Sequence, residues 1–328
     1  MKIIKGFQHK TGFHCGSTAL ANAAGYHGHG LSESMCFGLG EGPDFYFVKS
    51  DQSPSRAFNG RSPFMEKLFF ENIGLDFEWR QGDTFPWEAL KEWIDRDVPV
   101  IMLTDLYYLD YYQTSSHFSG HVVLLAGYDP ESGEALLSDT EREGLQRTSL
   151  DSLARAMKSK ALPFQVRNNW REIPYFPLGD LTPAISRSLA KKARAMLSPN
   201  HPRLGLQSME SFSRDLASWG SLPDWSWCAR FAYQVIERRG TGGSNFRILY
   251  LNFLKEAEEH LPSLKNIKAV SRMSTIAEKW TELAMVLKEI SETNPDLFPR
   301  AAETAREIAA LEKAFFTNVL DNISLVSP

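Results

Sequence analysis

The chain has 328 residues, 43% of them hydrophobic, which is enough for one large or two ordinary domains with real cores. A formal charge of −4 points to neither a nucleic acid nor an anionic membrane as a partner. Three cysteines, an odd number, argue against a disulfide framework; the start Met1–Gly6 carries no apolar segment of signal-peptide length and no later run could span a bilayer, so the expectation is a soluble, cytoplasmic protein.

The stretch Gly12-Phe13-His14-Cys15-Gly16-Ser17-Thr18-Ala19-Leu20-Ala21-Asn22 sets a cysteine between small residues, directly ahead of strong helix formers. It predicts a helix from Cys15 to about Gly25, with the sulfur at the N-terminus. There the unpaired N–H groups and the positive end of the helix dipole favour a thiolate, the nucleophilic form, and the same N–H groups can receive an oxyanion. A buried cysteine that merely packs is the commoner use of the residue. The rest of the chain has to decide.

After a Gly- and His-rich turn at 26–30, Ser32 opens a short segment. It ends in Phe37-Gly38-Leu39-Gly40-Glu41-Gly42-Pro43, too glycine-dense for regular structure. Its G-x-G lacks a strand before it and a helix after it, which argues against a nucleotide loop. Asp44–Lys49 reads as a strand, 51–62 as a polar loop, 62–72 as a helix and 75–80 as a strand. Thr84-Phe85-Pro86-Trp87-Glu88 is a helix-start signature, with Thr84 as N-cap and the helix running to about Arg96. Val98–Leu103 is an apolar run of buried-strand type. The tyrosine-rich patch 107–112 either packs or lines an acceptor pocket. Ser119–Tyr128 and Ala135–Asp139 form a hairpin across the turn Asp129-Pro130-Glu131-Ser132-Gly133.

Beyond about residue 145 the strand-type runs stop. Helical periods occupy about 148–159, 180–197, 207–218, 226–238, 245–260, 273–292 and 298–319. Breaks separate them at Pro163, Pro174–Pro177, Pro199–Pro202, Gly220–Pro223, Gly240–Gly243 and Pro295. The expected fold class is therefore α+β, with a mixed domain over 1–170 and an all-helical domain over 171–328.

His121 starts one hairpin strand and Asp139 ends the other, which makes them neighbours in an antiparallel pair. A carboxylate on one imidazole nitrogen fixes the tautomer and leaves the other nitrogen free to work on a thiol. Cys15, His121 and Asp139 then supply nucleophile, base and orienter in that chain order. Taken singly, a strand histidine is more often structural and an aspartate before Thr140 more often a turn former. The combination carries the signal.

The His121–Asp139 hairpin resembles that of papain-like cysteine peptidases, especially the peptidase domains of bacteriocin-exporting ABC transporters. The whole chain is more similar to the family of butirosin biosynthesis protein H. That family's N-terminal domain resembles residues ~8–145 through His14-Cys15-Gly16-Ser17-Thr18, Ser32-Glu33-Ser34-Met35-Cys36-Phe37-Gly38-Leu39-Gly40 and Gly120-His121-Val122-Val123. Its helical companion, a domain of unknown function, resembles ~180–320 through Gly242-Gly243-Ser244-Asn245-Phe246-Arg247 with Tyr250, Phe253 and Leu254.

The resemblance implies a papain-like first domain and acyl transfer. The family's named member takes an aminoacyl group from the phosphopantetheine arm of an acyl carrier protein and delivers it to an amine of an aminoglycoside. Carried over, Cys15 attacks the thioester, His121 relays the proton and Asp139 orients His121. The implied partners are a carrier-protein or CoA thioester as donor and a small-molecule amine as acceptor, in specialised metabolism. No cofactor beyond the phosphopantetheine or CoA donor is implied, and self-association stays open. Papain-like enzymes place an oxyanion-hole glutamine six positions before the cysteine. Here His9 stands there and Gln8 one further back, so the candidates beside the N–H of Cys15 are Gln8, which is preferred, and His9.

Further candidates for substrate binding are Glu33, Gly38 and Gly40 in the family-like motif and Arg247 after the second glycine-rich loop. The stretch Arg238–Arg247 reads either as a phosphate-binding helix start with Ser244 as N-cap or as a solvated interhelix turn. His14, Cys15, His27, His29 and Cys36 fit no closed metal pattern, so no metal is expected. His27 and His29 read as a solvated turn, His117 as exposed loop and Cys228 as core. Two other functions stay in view: a thiol hydrolase, amidase or peptidase, with the same triad, and a catalytically inactive binding protein with an unreactive Cys15.

Overall fold

A computed structural model describes residues 1–161, 164–198, 203–292 and 294–323. The predicted breaks at Pro163 and Pro199–Pro202 lie outside the described residues. The chain forms two compact parts: one joins Met1–Cys36 to Asp76–Gly179, the other joins Phe37–Leu75 to the chain from Asp180 onward.

In the first part lie β1 (Lys2–Ile3), α1 (Cys15–Tyr26) and the start of α2 (Glu33–Leu39), which holds the boundary between Cys36 and Phe37. The second part takes β2 (Pro43–Lys49), β3 (Arg56–Arg61) and α3 (Met65–Asn72). The first resumes with α4 (Trp87–Asp95), β4 (Val100–Asp105), β5 (Ser119–Asp129), β6 (Glu134–Ser138), β7 (Gln146–Ser149), α5 (Leu150–Ala156) and β8 (Trp170–Glu172). Then come α6 (Thr182–Leu197), α7 (Gly205–Leu216), α8 (Trp225–Glu237) and α9 (Arg247–His260). Last are α10 (Ser263–Asn266), α11 (Ala269–Glu292) and α12 (Phe298–Asn322).

The first part is organised on an antiparallel sheet of order β7-β6-β5-β4-β8, with β1 also paired to β5. Strand β5 is its centre, buried on both faces from Ser119 to Tyr128, which is why Val122–Ala126 is a continuous apolar run rather than an alternation. Val123 and Leu125 pack with Leu90 and Ile94 of α4, Val100 and Met102 of β4, and Leu153 of α5. Each such side chain contributes about 1.5–3 kcal/mol on burial. The buried small face of α1, with Ala19, Leu20, Ala23 and Ala24, lets that helix lie close on β5.

The second part is helical around a two-stranded β2–β3 ribbon. Phe45 and Phe58 of the ribbon stack at 5.2 Å between ring centroids, and both rings meet Phe212 of α7 and Trp280 of α11. This aromatic core explains why the expected division at 170/171 differs from the fold. Residues 37–75 precede the helices by more than a hundred positions, yet their apolar side chains have their partners there.

Three local expectations are corrected. The glycine-dense 37–43 begins as helix, α2 running through Leu39; a Cβ at Gly38 would overlap the Phe253 ring, so this glycine serves close packing. The polar loop at 51–62 contains β3, which forms because β2 supplies its ladder partners. No strand spans 75–80; Arg80 alone bridges to Trp170. The later helices lie close to their predicted spans, although α9 starts at Arg247, after Ser244, Asn245 and Phe246 all take left-handed φ. Among the described residues no helix is long and apolar enough to cross a membrane.

Candidate active site

Cys15 is the first residue of α1, and His14 is its N-cap. The capping is unusual in its chemistry: the Ser17 N–H donates to His14 Nδ1 at 3.2 Å, a role a short Ser, Asp or Asn side chain more often fills. Glu33, from the start of α2, clamps the same turn. Its carboxylate accepts from the N–H groups of Phe13 and His14 and from the hydroxyls of Ser17 and Thr18, at 2.7–3.2 Å. The candidate substrate residue Glu33 is thus a brace for the helix start. Gly12 leaves room for it, since a Cβ there would meet Thr18 Oγ1 and Glu33 Oε2.

The helix start is fastened to the hairpin. The Gly12 N–H donates to the Thr140 carbonyl at 2.9 Å, and Asn22 Nδ2 donates to Ser138 Oγ at 3.2 Å. On the hairpin, Leu124 pairs with Ser138; extending that register puts Asp139 opposite Val123, on the face of His121. A β-bulge aims the histidine. Thr104 pairs with His121 and Asp105 with Ser119, which leaves Gly120 as the extra residue, at φ +89°. Only glycine adopts that angle without strain, and a Cβ would also press on the Phe164 ring.

Cys15, His121 and Asp139 come together. His121 Nε2 lies 2.8 and 3.0 Å from the two oxygens of Asp139, both residues being buried. Cys15 and His121 share a hydrogen bond. Burial pushes the Cys15 thiol up, but the attraction of the neighbouring His14 and the hydrogen bond of His121 overcome it and hold the thiol well below its ordinary value. For His121, burial favours the neutral ring; the charge and hydrogen bond of Asp139, aided by Cys15, raise it to about 10. Burial likewise works against the Asp139 carboxylate, yet His121, Tyr111 and the Thr140 N–H keep it below the usual range. Both shifts act toward a thiolate beside an imidazolium.

Two tyrosines from the patch at 107–112 complete the surroundings. Tyr111 donates its hydroxyl to Asp139 Oδ2 at 2.7 Å, and burial keeps that phenol protonated. Tyr112 meets the His121 ring edge-on at 5.6 Å and carries Arg142 over its own face. The tyrosine run was the sequence signal for them; which of its members reach Asp139 depends on the short 3-10 turn at Leu106–Tyr108.

The remaining candidates sit elsewhere. Both ring nitrogens of His9 are engaged, with Ser138 Oγ at 2.8 Å and the Arg142 carbonyl at 2.7 Å, so His9 fastens the hairpin and has no N–H left for an oxyanion. Gln8 is exposed and lines a cleft of about 460 Å³ with Thr18, Asn22 and Glu33, a lining that does not include Cys15. Gly38 is a packing position and Gly40 is buried in the turn after α2. Arg247 is 1% exposed and spends all five of its N–H groups, on Glu312, the carbonyls of Gly60 and Asn245, and the Asp44 carbonyl. That commitment overturns the phosphate-binding reading for Arg247. His27 and His29 hold the carbonyls of Ile173 and Phe176. His117, half exposed, pairs with the buried Asp105 at 2.7 Å. Among the described residues no group of three or more His, Cys, Asp and Glu side chains could hold a metal ion.

Two family models match the chain: butirosin biosynthesis protein H, N-terminal, over residues 14–140, and a domain of unknown function (DUF4872) over 151–319. The chain belongs to the butirosin biosynthesis protein H family. No curated protein matches it. The family takes its name from butirosin biosynthesis, a setting compatible with a role in specialised metabolism. The N-terminal family model begins at His14 and ends just past Asp139, so it encloses Cys15, His121 and Asp139. It also encloses 37–75, the segment that the fold builds into the helical part.

Proposed function

We propose that the protein is a cysteine-dependent acyltransferase. It would move an acyl or aminoacyl group from a carrier-protein or CoA thioester, through an acyl-Cys15 intermediate, to an amine acceptor in specialised metabolism. One observation carries this reading: Cys15, at a helix start, shares a hydrogen bond with His121, whose Nε2 is held by Asp139 at 2.8 Å. The same arrangement supports a papain-like first part, a cysteine-bearing helix packed on the antiparallel strand that brings the histidine.

The proton accounting favours a thioester. The Cys15 sulfur attacks the acyl carbon, and the carbonyl π pair moves onto oxygen beside the N–H groups of Cys15 and Gly16, which have no acceptor among the described residues. Collapse breaks the donor's C–S bond, and the departing thiolate takes the proton from the His121 imidazolium. An amine then attacks the acyl-Cys15 carbon and gives a proton to the neutral His121. The Cys15 thiolate leaves, and the ion pair is restored. The first half exchanges one thioester for another at little cost; the second, forming an amide, runs downhill.

The test is intact-mass measurement after incubation with an acyl-pantetheine thioester, wild type against Cys15→Ala. The expected result is an adduct on the wild type only, discharged faster by an added amine than by water. An adduct lost equally fast to water makes the protein a hydrolase, and no adduct at all sinks both.

A further inference from the structure

One arginine beside the site differs from its neighbours in the chain. Arg147 holds the carboxylates of Asp129 and Glu134, and Arg80 grips Glu172 with two nitrogens. Among the described residues no carboxylate pairs with half-buried Arg142, not even the exposed Glu141 and Glu143 on either side of it in sequence, and its Nε is buried without an acceptor. Its Cζ lies 4.9 Å from the centroid of the Tyr112 ring. A ring face attracts the charge but offers the N–H groups no oxygen lone pair. The residue is fixed all the same. His9 Nε2 donates to the Arg142 carbonyl at 2.7 Å, and the Arg142 N–H donates to the Asp139 carbonyl at 3.4 Å. Tyr112 in turn meets the His121 ring edge-on at 5.6 Å. A guanidinium with unspent donors is thus held one tyrosine ring from the imidazole of the site, and His9 is the prop of its backbone.

We propose that Arg142 is the anion receptor of this site: it holds a carboxylate or phosphate group of the thioester substrate and so selects donors that carry one. The inference rests on the reading of Cys15 as an acyl acceptor and adds a charge to the substrate. A planar guanidinium presents paired N–H groups that match two oxygens of a carboxylate or a phosphate. The buried Nε sharpens the choice from both sides. An anionic substrate supplies the acceptor that Nε lacks, whereas a neutral one leaves it unpaired, with its desolvation uncompensated. Two parts of a thioester substrate can bring this chemistry. A carboxylate at the far end of the acyl chain comes to Arg142 from the sulfur side, and the phosphate of a pantetheine arm comes from the donor side.

The test compares donors that differ in charge. Acylation of Cys15 is followed by intact mass with glutaryl and pentanoyl thioesters of N-acetylcysteamine, which differ by a carboxylate and carry no phosphate. The second pair is the pentanoyl thioesters of phosphopantetheine and of pantetheine, which differ by the phosphate. One anionic donor is expected to exceed its neutral counterpart by about 10–100-fold in kcat/KM, chiefly through KM, the scale of charge-assisted hydrogen bonds. The pair that shows it names the source. The ratio is read within each variant, so a change in the Cys15–His121–Asp139 machinery cancels. In Arg142→Gln the ratio should fall to about one, and in Arg142→Glu it should invert. A ratio that survives in Arg142→Gln overturns the inference, as does a wild type that treats both pairs alike. Alkylation of Cys15 by iodoacetate and by iodoacetamide, alike in size and unlike in charge, needs no acyl donor. Above the pH midpoint of alkylation, the iodoacetate-to-iodoacetamide rate ratio should drop several-fold in Arg142→Gln, and an unmoved ratio overturns the receptor. Failure of the thioester reading is seen separately, as no adduct from any donor on a protein whose Cys15 still alkylates. If Arg142→Gln does not fold, Arg142→Met, which keeps an apolar stem over Tyr112, is read the same way.

Discussion

Each of the two parts buries a cluster of charged side chains, and the clusters are built to opposite ends. In the helical part Arg247 and Glu312 are 1% and 0% exposed and meet through two contacts of 2.8 and 2.9 Å. Trp280 Nε1 adds a third donor to the carboxylate, and Lys192 pairs with Asp44 at 2.9 Å nearby. Every N–H of Arg247 is spent. In the first part, by contrast, the Cys15 thiol is held well below its ordinary value, and the N–H groups of Cys15 and Gly16 have no acceptor among the described residues. A saturated cluster specifies a fold; an unsaturated one, with acid and base pushed far from their ordinary values, is poised to act.

The sharpest way to break this contrast is to remove the thiolate. Cys15→Ala should lower acyl transfer by about 10⁶-fold, leaving only binding and backbone donors, as read by adduct formation and turnover. Asp139→Asn comes next, at about 10⁴-fold, because the amide cannot hold the imidazolium. Its signature is in the pH dependence. His121 is raised from 6.5 to about 10, so its contribution to stability is complete below 6.5 and is lost as pH rises through about 10. Cys15 is lowered from 9.0, so its contribution is complete above 9.0 and is lost as pH falls through its lowered value. The two slopes oppose each other between 6.5 and 9.0, which leaves a net fall in stability between 9.0 and about 10. Urea midpoints across that range should show the fall in the wild type and lose it in Asp139→Asn.

The saturated cluster makes the complementary prediction. Glu312→Gln leaves a buried guanidinium without its counter-charge and should cost about 3–5 kcal/mol in urea unfolding. The alkylation midpoint of Cys15 in the folded protein should stay where it is. A shift there would mean that the two clusters are one electrostatic system, and the contrast would fall.

How much of this could be read in the chain divides along the same line. The Cys15 helix and the hairpin that presents His121 and Asp139 are written locally, in a small-residue run, a turn and a strand period. The fate of Arg247 is not, because glycines and arginines before a helix fit both a phosphate site and a buried brace; only the arrival of Glu312, 65 positions later, decides. The placement of 37–75 is hidden for the same reason, since Phe45 and Phe58 do not announce that their partners are Phe212 and Trp280. Glu33 carries a family-like motif whose purpose, gripping the N–H groups of Phe13 and His14, appears only once α2 lies beside the start of α1.

The smallest of the expected effects tests where the poised cluster ends. Tyr111 donates to Asp139 Oδ2 at 2.7 Å, while Asp139 also accepts from His121 and from the Thr140 N–H at 2.7 Å. Tyr111→Phe removes one charge-assisted hydrogen bond and no charge, so it should cost about 1.5–3 kcal/mol of stability. With one donor gone, the carboxylate concentrates its charge on His121. The alkaline limit of acylation should therefore move up from about 10, opposite in sign to Asp139→Asn. Turnover at neutral pH should change by less than about tenfold, the scale of an interaction made equally before and during reaction. A loss approaching that of Asp139→Asn would mean that Tyr111 touches the reacting atoms, and the boundary between the chemistry and its support would have to be drawn one residue further out.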